Sequence, residues 1–164
     1  MTTRRTHLTR FGLAAAAGFT AAATTAAGPA AAGVPRRMQD QIVLSARRKQ
    51  ITLPVLPALG VAYIATFDLF DRSGATVGTA AAGATVVDVT TGGPVVLAHV
   101  VLVLADGEIH YQRLMNRFGA YPRTATGPIV GGTGIYACIC GEVDITWPDA
   151  ERIDLVVRPT AGVA

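Results

Sequence analysis

The chain has 164 residues, enough for one domain of ordinary size, and 51% of them are hydrophobic while only 15% are charged. The formal net charge of +3 comes from the N-terminus, because every acidic residue lies at or beyond Asp40. Without Arg4, Arg5 and Arg10, the 14 basic residues fall to 11, equal to the 11 acidic ones. Such a neutral domain is a poor electrostatic partner for nucleic acid, and we expect no nucleic-acid binding.

The first 32 residues have the layout of a secretory signal peptide. Arg4 and Arg5 begin it, a mildly apolar stretch runs from Phe11 to Ala27, and small residues before Gly33 offer a cleavage site, with Ala27 as an alternative. The paired arginines approximate a twin-arginine signal; the general secretory route is the alternative. The stretch is too short and too poor in Leu, Ile and Val for a membrane span. We therefore predict an exported protein, with no membrane span after signal removal.

Residues 33–49 are polar and basic, and only Met38, Ile42 and Val43 show weak helical spacing. This segment is predicted to be a lead-in arm, either a short helix or disordered. From Gln50 the pattern becomes that of short strands separated by turns. The predicted strands are 51–56, 61–71, 77–89, 95–104, 108–115, 129–130, 135–147 and 153–158. Eight short strands at regular spacing over residues 50–160 favour an all-β sandwich or a closed antiparallel barrel.

The segment around the glycine cluster Gly131–Gly134 carries both cysteines. The β-prone residues that follow it indicate a turn between two strands rather than a phosphate-binding loop, which needs a helix behind it. Cys138 and Cys140 lie two apart on a predicted strand and so share a face, where a disulfide between them would be strained. A metal site would need two more ligands, for which His99 and His110 are the core candidates. We predict two buried thiols and no metal.

Asp68 is the first candidate for chemistry, because it stands in an otherwise apolar strand. It shares a face with Thr66 and Phe70. Inside a barrel, desolvation would raise the pKa of this carboxyl and suit it to general acid or base catalysis. On the outer face it would be an ordinary solvated aspartate. Both placements fit the sequence, and we enter Asp68 as a candidate catalytic residue.

Tyr111 is the second candidate. In strand 108–115 the alternation puts Ile109 and Tyr111 on one face, with His110 and Gln112 on the other. The apolar face is the one usually buried, which predicts that Tyr111 points inward; the opposite assignment would make His110 a proton shuttle. The other large aromatic residues, expected to line one substrate cavity with it, are Tyr63, Phe70, Phe118, Tyr136 and Trp147.

Several short motifs occur in a definite order: FDLFD at Phe67–Asp71, DGEI at Asp106–Ile109, IVGGTGIY at Ile129–Tyr136 and GEV at Gly141–Val143. In order and spacing, over about Tyr63–Ile145, the chain resembles the allene oxide cyclase and dirigent barrel superfamily. It is also similar to bacterial barrel cyclases that form spirotetronate rings by intramolecular 4+2 addition. The resemblance carries the fold more safely than the reaction.

The resemblance implies a single eight-stranded antiparallel barrel, often homo-oligomeric, that folds a flexible apolar substrate in its cavity without a cofactor. Asp68 aligns with an acidic residue in the first barrel strand of plant allene oxide cyclases. The sequence therefore predicts a cofactor-independent cyclase that closes a ring in a polyketide- or oxylipin-like metabolite, by 4+2 addition among the reactions implied. The alternative is an exported, non-enzymatic dirigent-like protein that binds a small molecule.

Overall fold

The computed structural model describes residues 40–55 and 57–160. The predicted signal peptide, residues 1–32, and residues 33–39 of the predicted arm lie outside the described residues. Within the described ranges, no helix has the length and apolarity needed to cross a membrane.

The described chain forms a closed barrel in which each strand pairs antiparallel with the next and the first strand pairs with the last. A short 3-10 helix, Gly134–Tyr136, lies between the sixth and seventh strands. The predicted all-β, eight-stranded antiparallel barrel is confirmed, and the sandwich is excluded. The strands are β1 Ile42–Ile51, β2 Ala62–Phe70, β3 Thr76–Thr90, β4 Gly93–Leu104, β5 Gly107–Asn116, β6 Arg123–Gly132, β7 Cys140–Trp147 and β8 Arg152–Thr160.

The core is built from alternate residues of every strand, because successive side chains of a strand point to opposite faces. At the end of the barrel where β4 turns into β5, large branched side chains fill the axis, and Leu69, Leu102 and Ile109 are fully buried. The opposite end, called the open end, carries the connections that follow β1, β3, β5 and β7. The inward positions toward the open end include four alanines on three adjacent strands: Ala65, Ala82, Ala84 and Ala98.

The barrel begins earlier than predicted. The prediction that a basic arm extends to Lys49 is wrong from Ile42 onward, since β1 occupies Ile42–Ile51 and pairs with both β2 and β8. Leu44 and Ala46 face the interior, while the basic Arg47 alternates with them on the other face. The basic run Arg47–Lys49 follows these apolar residues directly and concealed the period of two in the sequence.

The connection between β6 and β7 also differs from the prediction. Strand β6 starts at Arg123, inside the predicted polar loop, and β7 starts only at Cys140. Gly134, with φ of +61°, lets the chain pass so close to the β4–β5 turn that an added Cβ would lie 2.1 Å from the Asp106 carbonyl oxygen. The prediction that both cysteines are buried on one strand is wrong: Cys138 precedes β7 and is exposed, and both thiols are free.

Candidate functional site

A cavity lies inside the open end of the barrel. The short side chains of Ala65, Ala82, Ala84 and Ala98 leave space on the barrel axis. The enclosed space is about 30 Å³, and about one probe sphere of volume is enough to hold a water molecule. Pockets for drug-sized ligands are roughly 300–1,000 Å³. A larger ligand therefore requires side chains at the open end to move.

Three aromatic side chains predicted for the site are buried in or next to this cavity. Tyr63 on β2 and Trp147 at the end of β7 form part of its wall. Tyr111 lies deeper, in a smaller space of about 10 Å³ toward the filled end. Burial raises the pKa of Tyr111, and the nearby Arg113 offsets part of that rise. Its hydroxyl is protonated at neutral pH, so it can donate a hydrogen bond but is a poor base.

Arg113 occupies the centre of the site. Alternation on β5 turns it inward, two residues after Tyr111, and it contacts both spaces. Its guanidinium lies 4.5 Å from the centroid of the Trp147 ring, a cation–π contact. Its Nε and Nη1 atoms are buried and have no hydrogen-bond partner among the described residues. Burial lowers the pKa of Arg113, with Tyr111 and Tyr63 opposing that shift.

Further arginines make the open end electropositive. Arg48 and Arg117 line the cavity together with Arg113, and Glu151 is the one carboxylate among its lining residues. Glu151 forms an ion pair with Arg48, which neutralises both. Arg123 stands next to this group, donating to the Arg117 carbonyl oxygen. The arginines that remain give the cavity a net positive charge.

Arg123 is held by its own neighbours. Its Nη2 lies 2.8 Å from the Tyr121 hydroxyl oxygen, and its guanidinium is 5.9 Å from the Trp147 ring centroid. Burial lowers the pKa of Arg123, with the nearby Tyr121 opposing the shift and Arg117 adding to it. Through these contacts Arg123 joins the β5–β6 connection to Trp147 in the cavity wall.

The other predicted site residues lie away from the cavity. Asp68 is on the outer face of β2 with Thr66 and Phe70, and its Oδ1 is 3.1 Å from Lys49 Nζ. Arg47 lies over the Phe70 ring, 5.5 Å from its centroid. The catalytic role assigned to Asp68 would require it inside the barrel.

Phe118 and Tyr136 are also outside this cavity. Phe118 is exposed in the β5–β6 connection and borders a separate open groove with Leu114 and Asn116. Tyr136 is in the 3-10 helix near the filled end, where burial, and then Asp106, raise its pKa. Of the predicted set, Tyr63 and Trp147 line the cavity, and Tyr111 lies next to it.

His99 and His110 lie on the outer surface. His110 alternates outward as Tyr111 turns inward, and its Nε2 is 3.0 Å from Glu108 Oε2. The His99 and His110 rings are 5.6 Å apart on adjacent strands. Within the described ranges, no three side chains of His, Cys, Asp or Glu are grouped as metal ligands would be.

Sequence reasoning missed the arginines of the site. The alternation that turned Ile109 and Tyr111 inward also turns Arg113 inward, and this signal was available. Arg48, Arg117 and Arg123 had no such signal, because Arg48 is at a bulge in a strand that was not predicted, Arg117 follows the end of β5 and Arg123 begins β6.

Residues 40–153 match the family model described as allene oxide cyclase barrel like domain. The chain belongs to the allene oxide cyclase barrel-like family. The resemblance seen in the sequence motifs is confirmed. No curated protein sequence matches the chain.

Three solved structures illustrate how family barrels compare with this one. A pyocyanin demethylase is 24% identical, with a TM-score of 0.59 over 72% of this chain and 100% of its own. An exo-specific intermolecular Diels-Alderase is 16% identical, with a TM-score of 0.61 over 72% of this chain and 95% of its own. A Diels-Alderase from Streptomyces koyangensis is 16% identical, with a TM-score of 0.56 over 76% of this chain and 70% of its own. At these identities the likeness establishes the shared barrel fold.

Proposed function

We propose that the protein is a cofactor-independent barrel cyclase that folds a flexible apolar metabolite in its cavity and promotes intramolecular ring closure. The observation that carries the proposal is the open-end cavity. Small alanine side chains form part of its wall, and Tyr111 and Arg113 face inward in or next to it. Family membership and the cycloaddition enzymes among the similar structures, one of them intermolecular, support cycloaddition as the reaction class.

The barrel would accelerate such a reaction mainly by preorganisation. A flexible chain loses many conformations when its ends meet, and a cavity that holds the reactive conformer removes that entropy from the barrier. Exclusion of water strengthens every hydrogen bond to the substrate. Arg113 would polarise a carbonyl conjugated to the reacting double bond and stabilise charge that develops on its oxygen.

A 4+2 addition on a polyketide-like chain is the finer reaction that we propose. In this step a diene and an alkene of one molecule form two σ bonds and one new π bond from three π bonds. No atom leaves, and no oxidant or reductant takes part. Such a step needs no group that transfers atoms or electrons, and a cavity with hydrogen-bond donors is sufficient for it. Oxylipin-like ring closure is the related alternative.

The test is turnover of a linear decatrienone, whose diene and enone close to a bicyclic octalone. We expect the purified protein to increase the rate of closure and to change the ratio of diastereomers, measured by chromatography and mass spectrometry. Equal rates and ratios with and without protein, for linear trienones of several chain lengths, would contradict the cyclase. Binding without acceleration would support the dirigent-like binding role instead.

Two further expectations stay predictions. Export rests on residues 1–32, and we expect the N-terminus of the secreted protein to start at Gly33, or after Ala27, by mass spectrometry. A homo-oligomer is implied by the resemblance, and native mass spectrometry of the purified protein measures it.

A further inference from the structure

We propose that His99 and His110 form a binding site for a divalent transition-metal ion, with Cu²⁺ bound most tightly, on the outer surface of the barrel. The site is on β4 and β5 and faces away from the open-end cavity. It therefore goes beyond the proposed function and does not depend on it. The centroids of the two imidazole rings are 5.6 Å apart, and the ring planes are tilted by 50°.

The barrel wall brings the two rings together. His99 of β4 pairs across the ladder with Gln112 of β5, and His110 pairs with Val101. The histidines are therefore diagonal neighbours on one face of the sheet, where long side chains of adjacent strands still reach each other. Because the backbone ladder holds both residues in place, no flexible segment has to be ordered when an ion binds.

The separation of the rings is close to that of a metal chelate. Metal–nitrogen bonds of about 2.0–2.1 Å put the centroids of two imidazoles on one ion roughly 4.5–5.5 Å apart. The observed 5.6 Å is only slightly longer. A small rotation of either ring about its χ2 torsion, which is broad for histidine, closes the difference.

Glu108 determines which nitrogen of His110 is available. Its Oε2 lies 3.0 Å from His110 Nε2, and an ionised carboxylate only accepts, so Nε2 carries the proton and donates it. The free lone pair of the neutral imidazole is then on Nδ1. Metal-binding histidines commonly donate their other N–H to a carboxylate, which orients the ring and makes it a better ligand. The folded chain already provides this outer partner.

There is space beside both rings for an ion and its water ligands. Gly83 of β3 pairs with His99, and Gly131 of β6 pairs with His110. A Cβ added to either glycine would have no atom within 4 Å. Each histidine is thus bordered on its outer side by a position without a side chain, and water can reach the ion from both directions.

The donor atoms determine the class of metal. Imidazole nitrogen suits Cu²⁺, Ni²⁺ and Zn²⁺, whereas Ca²⁺ and Mg²⁺ prefer oxygen ligands. Of the first three ions, Cu²⁺ forms the most stable complexes with such ligands. Among the residues that the structure describes, no group of three His, Cys, Asp or Glu side chains could hold a metal ion. Water therefore completes the coordination, and the ion exchanges with solution, unlike that of a closed structural site.

The experiment titrates the full chain with CuSO₄. Calorimetry measures the affinity and stoichiometry, and electron paramagnetic resonance counts the nitrogen ligands. Cys138→Ser and Cys140→Ser are introduced first, because the two free thiols would compete for copper. We expect one Cu²⁺ per chain at saturation, held by two nitrogens, and weaker binding of NiCl₂ and ZnCl₂.

Variants in this background assign the site to its residues. His99→Gln and His110→Gln should each weaken Cu²⁺ binding at least about 100-fold, since losing a ligand costs no less than losing an outer partner. His7→Gln is the matched control, because His7 is the only other histidine of the chain, and should leave the affinity unchanged. Glu108→Gln should weaken binding about 10-fold with both nitrogens still bound. Glu142→Gln, which changes an exposed acid on β7, should have no effect.

No saturable binding of Cu²⁺, or binding that survives in both His99→Gln and His110→Gln, would overturn the site. Loss of binding in His7→Gln would also overturn it, and an affinity unchanged in Glu108→Gln would refute the part given to that residue. Circular dichroism verifies that each variant is folded. The decatrienone assay tests the proposed function separately, and both histidine variants should close the ring at the wild-type rate.

Discussion

The substitution Arg113→Met should make the ligand-free protein more stable, although it removes the group assigned to ligand binding. The side chain of methionine is similar in length and apolar, so it fills the same position beside Ala98 and Trp147 without a charge. What disappears is a guanidinium whose Nε and Nη1 are buried without a partner among the described residues. Natural sites often trade stability for function in this way.

The magnitude follows from two opposing effects. Each buried donor without a partner costs about 1–3 kcal/mol, so relieving two gives roughly 2–6 kcal/mol of stabilisation. The lost cation–π contact with Trp147, at 4.5 Å, removes about 2 kcal/mol. The net gain in unfolding free energy is therefore about 2 kcal/mol. For a domain of this size, that raises the melting temperature by roughly 6–10 °C.

The assay is thermal unfolding by circular dichroism together with urea titration of the wild type, Arg113→Met and the control Arg158→Met. The control removes the exposed ion pair of Arg158 with Asp144 and should lose at most about 1 kcal/mol. A loss of 1 kcal/mol or more in Arg113→Met would show that the guanidinium is satisfied in the folded protein, and would refute the reasoning.

Three other substitutions test the site. Ala84→Leu should slow closure of the decatrienone at least about 10-fold by filling the cavity, at a cost of about 1–3 kcal/mol in stability. Ala81→Leu, on the exposed face of the same strand, should leave the closure rate unchanged, and equal rates in both variants would contradict the cavity. Asp68→Asn should leave binding and ring closure within about twofold of wild type, because Asp68 is outside the barrel beside Lys49; a large loss of turnover would return Asp68 to the mechanism. Burial raises the pKa of Tyr111 above its ordinary value of 10.0, so above pH 10 this tyrosine ionises only in the unfolded chain and the wild type loses stability. Tyr111→Phe should lose less unfolding free energy between pH 9 and pH 11, measured by urea unfolding. An equal decline in both proteins would contradict the prediction.

Much of the barrel was predictable from the sequence because β2 to β5 are long runs rich in apolar or β-prone residues, separated by turn residues. Strand β2 was predicted within one residue at each end, and the turn at Asp106 was recognised from its glycine. The start of the barrel was not, since the apolar residues of β1 are followed directly by the basic run Arg47–Lys49. In the closed barrel, β1 is held by pairing with β2 and β8. The local sequence of β1 does not show which strands it will pair with.

The site was predictable only in part. Alternation predicted that Tyr111 points inward, as the structure has it. The same rule is ambiguous in β2, where Phe67 and Phe70 are on opposite faces, so the pattern could not decide which face carries Asp68. Arg113 was missed for a different reason. A basic residue next to apolar ones is normally on the outside, and its burial depends on the Trp147 ring, distant in sequence.

The pairing of β1 with β8 has a consequence for how the chain folds. The register joins Ile42 to Val157, nearly opposite ends of the described sequence, so the seam can form only after the last strand has been synthesised. Such distant contacts slow folding, because the entropy of closing the chain is lost before the contacts form. Until closure, β1 and β8 remain open edges that can pair with other chains. Aggregation during refolding should therefore depend on protein concentration, and substitutions that weaken the β1–β8 seam should increase it.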